Sequence, residues 1–88
     1  MKRIRDIEDI AEKDVILIKK IKKSTLSSRN EDKSGTIIIV TNYDKSSGKG
    51  KLLEKNTGEG HQFDVAFFID MSESYIIDDE LGKVLYEE

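Results

Sequence analysis

The stretch Gly48-Lys49-Gly50-Lys51-Leu52-Leu53-Glu54-Lys55-Asn56-Thr57-Gly58-Glu59-Gly60-His61-Gln62-Phe63-Asp64-Val65-Ala66-Phe67-Phe68-Ile69 has the pattern of a β-hairpin. From His61 onward every second residue, Phe63, Val65, Phe67 and Ile69, is apolar, the period of a strand with one buried face. The five residues Asn56 to Gly60 are turn formers, and a loop of that length joins antiparallel neighbours. Gly50 to Lys55 is therefore the expected partner strand, and Phe63, Val65 and Phe67 are expected to point together into a core.

Short strands are expected on both sides of this hairpin. Val15 to Ile18 is β-branched and runs into Lys19, Lys20, Ile21, Lys22 and Lys23, as a strand leaving the core would. Ser24 to Ser34 is polar except for Leu26 and reads as a loop, while Gly35 to Tyr43 has the highest β-propensity and reads as a central strand. Asp44 to Gly48 turns the chain into the hairpin. Beyond it, Met71 to Ser74 is expected as a connection, Tyr75 to Ile77 as a strand, Asp78 to Gly82 as a turn and Lys83 to Tyr86 as a closing strand with an open edge. At the start, Ile4, Ile7, Ile10 and Ala11 recur at three- and four-residue steps among charged residues, so residues 1–13 are expected as a short helix docked on the sheet.

These elements predict a mainly β fold. It is a small antiparallel barrel of five or six strands, OB-like or SH3-like, with a short N-terminal α-helix, because closure protects the edges of a small sheet. Eighty-eight residues make one domain, with residues 14–88 as the barrel, and a chain this short buries only about 60–65% of its unfolded surface. Without cysteine there is neither a disulfide framework nor a thiolate metal site. The longest apolar run, Val65 to Ile69, is five residues, so no membrane span is expected, and the reading is of a cytoplasmic protein.

Three places resemble a cold-shock domain, an OB barrel that binds single-stranded RNA and DNA. Gly48-Lys49-Gly50-Lys51-Leu52 has the glycine spacing of that family's first nucleic-acid motif, Asp64-Val65-Ala66-Phe67-Phe68 is similar to its second, and Gly82-Lys83-Val84-Leu85-Tyr86 to its closing strand. The resemblance covers residues 35–88 and implies an OB fold with a nucleic-acid-binding face. Lys49 and Lys51 stand in the family's two aromatic places, Ala66 replaces another aromatic, and Phe68 stands where a histidine is expected. Phe68 and Tyr43 are then the aromatics left for base stacking, a contact of roughly 1–3 kcal/mol per base.

The net charge of −3 conceals a division. Residues 1–55 carry 14 Lys and Arg against 9 acids, a balance of +5, and residues 56–88 carry Lys83 against 9 acids, a balance of −8. Two non-enzymatic readings follow. In the leading one, Lys19, Lys20, Lys22, Lys45, Lys49 and Lys51, with Phe68 and Tyr43, bind single-stranded RNA or DNA with little base preference. In the alternative, Asp70, Asp78, Asp79 and Glu80, with Glu87, Glu88 and the open edge at Lys83 to Tyr86, bind a protein partner. No catalytic residue, cofactor or metal site is expected. His61, the only histidine, shares the parity of Phe63 and reads as structural, no serine lies in a Gly-x-Ser-x-Gly elbow, the glycines lack Walker spacing, and the acids Asp70, Glu73, Asp78, Asp79 and Glu80 lack EF-hand spacing.

Overall fold

The computed structural model describes residues 1–21 and 35–87. Lys22, Lys23, the expected loop over 24–34 and Glu88 lie outside the described residues. The fold is mainly β: among the described residues six antiparallel-paired strands form one sheet, with two short helices. The strands are β1 (Lys2–Arg3), β2 (Val15–Ile21), β3 (Ile37–Asp44), β4 (Lys49–Glu54), β5 (Gly60–Asp64) and β6 (Ser72–Ile76), in spatial order β1-β6-β2-β3-β4-β5. Helix α1 (Val65–Met71) joins β5 to β6, and α2 (Glu80–Glu87) follows β6.

The strands over residues 15–64 stand where the apolar pattern placed them. The hairpin pairs Leu52 with His61 and Gly50 with Phe63, and Gly58 turns it at φ +73°, a conformation glycine adopts without a Cβ clash. Gly50 is needed for another reason. A Cβ there would overlap the carbonyl oxygen of Asn42 on β3, so the two backbones close only over a glycine.

Each face of the sheet has its own core. On the inner face Ile16, Ile18, Ile38, Val40, Tyr43, Leu52 and Ile76 pack with Ile4, Ile10 and Val65. On the outer face Val15, Ile39 and Ile77 pack with Leu17, Ile37 and Leu85. The run Ile37-Ile38-Ile39-Val40 is continuous because β3 is covered on both sides.

Helix α1 overturns the expectation that the strand continues to Ile69. The Asp64 side chain accepts the Ala66 N–H at 3.0 Å and caps a helix there, while the Ser72 hydroxyl donates to the Phe68 carbonyl at its other end, 2.8 Å. Val65, Phe68 and Ile69, spaced i, i+3, i+4, face the inner core, and Phe67, expected inside, is 62% exposed. The alternation through residues 65–69 is equally a helical period, and the capping aspartate decides between them. The chain must then reach β6, four strand spacings from β5. In a flat sheet that is ~19 Å, yet seven helical residues rise only ~10 Å, so the sheet curls strongly. Among the described residues it does not close, because β1 and β5 remain its edges.

The other departures lie at the termini. Residues 1–13 do not form an α-helix: β1 pairs with β6, and only Ile7–Asp9 is helical, as a single 3-10 turn. The Asp9 carboxylate accepts the N–H groups of Arg5 and Asp6, at 2.9 and 3.0 Å, and holds the chain in that tight turn. Ile4 and Ile10 still dock on the inner core, because a three-residue spacing suits a 3-10 turn as well as a helix. Ser72 to Ser74, expected as a connection, belongs to β6, where Ser72 and Ser74 bury and hydrogen-bond each other at 2.9 Å. Lys83 to Tyr86, expected as a closing strand, lies in α2, whose start is bonded by Asp79 Oδ1 to the Leu81 N–H at 3.1 Å.

Gly82 seats α2 against the sheet end, since a Cβ there would overlap the Ile77 carbonyl. Helix propensity alone would make Gly82→Ala stabilising by about 1 kcal/mol. The clash reverses the sign, and urea unfolding should show Gly82→Ala less stable by about 1–3 kcal/mol.

Candidate functional site

Helix α2 is seated by Gly82 and Leu85, with the Lys55 ammonium donating to the Leu85 carbonyl. Its other apolar side chains remain in solvent: Leu81 is 57% exposed, Val84 48% and Tyr86 42%. Leu81 and Val84 stand one turn apart and border Leu85, so they form one strip on the helix. Asp78, Asp79, Glu80 and Glu87 are exposed around it, and the Met1 ammonium approaches Asp78 at 3.5 Å. Between α2 and the ends of β2 and β6 runs a groove of about 670 Å³, bordered by Asp14, Asp78, Asp79, Glu80, Lys83 and Tyr86.

Of the acids expected to act together, Asp78, Asp79 and Glu80 are adjacent here. Asp70 is not among them: it lies on α1, which packs on the opposite face of the sheet. Glu73, on β6, pairs with Arg3 at 3.6 Å. The edge expected at Lys83 to Tyr86 is absent because that segment is helical, and among the described residues the sheet's long free edge is β5.

The lysines are less concentrated. Lys49 and Lys51 are exposed on β4 and, by the alternation about buried Leu52, face outward; Lys45 is exposed in the preceding turn. Lys49 is paired across the ladder with Asp44 on one side and Asp64 on the other, so carboxylates interrupt the positive surface. Lys19 lies over the Tyr75 ring, 5.5 Å from its centroid, a cation–π contact. The Lys20 side chain and all of Lys22 lie outside the described residues. Tyr43 is buried, stacked on Phe63 with centroids 5.9 Å apart, and its hydroxyl donates to the Ile7 carbonyl. Phe68 is half-buried against the inner core and meets Phe63 edge-on. Both aromatics are thus engaged in packing and lie on the face opposite Lys49 and Lys51.

His61 shares the inner face with Phe63, as its parity implies, but is exposed at the hairpin end, its Nε2 3.2 Å from Glu54 Oε2. The α2 surface was the part of the site hidden from sequence reading. Its available signal was Asp79 as an N-cap followed by Leu81, Val84 and Leu85 at helical spacing.

No protein-family model, curated protein or solved structure gives a significant match to the chain.

Two kinds of carboxylate have shifted affinities. Ser46 and Ser47 hydrogen bonds hold Asp44 below its ordinary value, and the Arg5 N–H does the same for Asp9. Asp14, at the groove, is pushed above 3.8, chiefly by burial. Folded Asp14 therefore binds its proton more tightly than unfolded Asp14, and its contribution to stability is lost as pH rises from 3.8 through the raised value. Asp14→Asn removes that loss. The urea midpoint of the variant relative to wild type should climb with pH across this window and level off above it.

Proposed function

We propose that this chain is a non-enzymatic binding module for a protein partner, engaged through the exposed strip of α2 and its acidic rim. The carrying observation is the conjunction of Leu81, Val84 and Tyr86 in solvent with Asp78, Asp79, Glu80 and Glu87 around them. Desolvating apolar side chains supplies affinity, while rim charges set orientation and association rate, so the partner surface is apolar at its centre and basic at its edge. The strand order supports an SH3-like arrangement for the scaffold: β2 to β5 form a meander, a short helix follows, and β6 returns to pair with β2. Such a fold holds the site without specifying its function.

The test is affinity capture on the immobilised full chain from its native cell, after nuclease treatment, followed by binding measurements on the captured protein. Leu81→Glu with Val84→Glu should weaken binding about 30-fold or more, the effect of losing an interface centre of ~2 kcal/mol. Capture unaltered by this pair would overturn the reading.

Single-stranded nucleic acid is the second reading, favoured by exposed Lys49 and Lys51 on one face of β4 and Lys45 beside them. With Tyr43 and Phe68 packed in the core, the contacts would be to phosphates, without base stacking. Fluorescence anisotropy with a single-stranded oligonucleotide should then show log affinity falling by roughly 0.7 per contact for each unit of log salt. Lys49→Glu with Lys51→Glu should abolish it, and absence of binding at low salt removes this reading.

A further inference from the structure

The hairpin end brings together three potential ligands that are separate in sequence. Glu59 closes the hairpin against Glu54, whose N–H donates to the Glu59 carbonyl at 2.8 Å, so the two residues lie opposite each other. His61 stands two residues further along β5, opposite Leu52. The alternation of side chains puts all three on the inner face. There the His61 Nε2 is 3.2 Å from Glu54 Oε2 and 3.7 Å from Glu59 Oε2, and one ligand atom from each residue lies within 4.8 Å of the other two.

We propose that Glu54, Glu59 and His61 bind one divalent transition-metal ion of the Zn2+ class at the end of the β4–β5 hairpin. Three observations carry this. First, ligands about 2.1 Å from a common tetrahedral ion are about 3.4 Å from each other, and the two His–Glu separations bracket that value. Second, Glu54 and Glu59 stand directly opposite on one sheet face, so a cation between them meets two carboxylates at once. Third, Glu54 is buried while Glu59 and His61 are open to solvent, and the cluster edges a cavity of about 510 Å³ whose other walls are Ile18, Ile38, Leu52 and Phe68. Apolar walls strengthen ion–ligand attraction and restrict solvent access. One imidazole nitrogen and two carboxylate oxygens form a borderline donor set, suited to Zn2+ or Co2+ more than to Ca2+ or Mg2+, which prefer all-oxygen shells. Three protein ligands leave a fourth position for water on the cavity side.

Isothermal titration of the metal-free full chain with Zn2+, alongside Co2+ absorption spectra and thermal melts, tests the site. One ion per chain is expected, with a visible Co2+ spectrum and a Tm that rises with added Zn2+. Because His61 and Glu59 are 48% and 66% exposed at their side chains, His61→Asn and Glu59→Gln should keep the fold. Each should weaken binding at least ~10-fold and remove the Tm rise, whereas Asp79→Asn should leave both unchanged. Binding that survives His61→Asn, weak binding at several sites, or no binding at all would overturn the proposal.

Discussion

The geometry depends on how α1 returns the chain from β5 to β6. Seven residues reach about half the distance that a flat sheet would require, so the strands must curl until the inner face becomes concave. Val65, fully buried at the first helical position, fixes one end of this strap, and the Ser72 hydroxyl on the Phe68 carbonyl fixes the other. Curling makes room for only a small inner core. The N-terminal residues Ile4 and Ile10 complete it, which explains why that segment lies over the sheet as a turn.

The same curl separates core from periphery. The aromatics expected as a platform for bases, Tyr43 and Phe68, are drawn into the concave side with Phe63. Lysines on β4 are left on the convex side, where Lys49 stands between Asp44 and Asp64 of the neighbouring strands. Apolar side chains in excess of what either face can accommodate appear on the helices, as Phe67 on α1 and as Leu81, Val84 and Tyr86 on α2. Polar groups on the concave side cluster where the core ends, at the tip of the β4–β5 hairpin and in the Ser72–Ser74 pair that ties α1 to β6.

The strands over residues 15–64 were legible because their apolar residues follow a two-residue period or a continuous β-branched run, and glycine and aspartate mark the turns. Val65 to Ile69 was not, since Val-Ala-Phe-Phe-Ile satisfies a strand period and a helix period together. Only the bonds made by Asp64 and Ser72 distinguish them. At the C-terminus, Lys83-Val84-Leu85-Tyr86 has a strand-like composition, but Asp79 starts a helix there and Gly82 lets it lie against Ile77.

By itself the sequence determined the β-rich class, the central hairpin, and the division of charge between the halves, because these follow from local periodicity, turn chemistry and composition. Tertiary structure alone decided that Phe67 faces solvent, that Asp70 and Asp78 lie on opposite faces, and that Glu54, Glu59 and His61 converge. Those outcomes depend on which elements compete for the two faces of one curled sheet, and that competition is settled between residues distant in the chain.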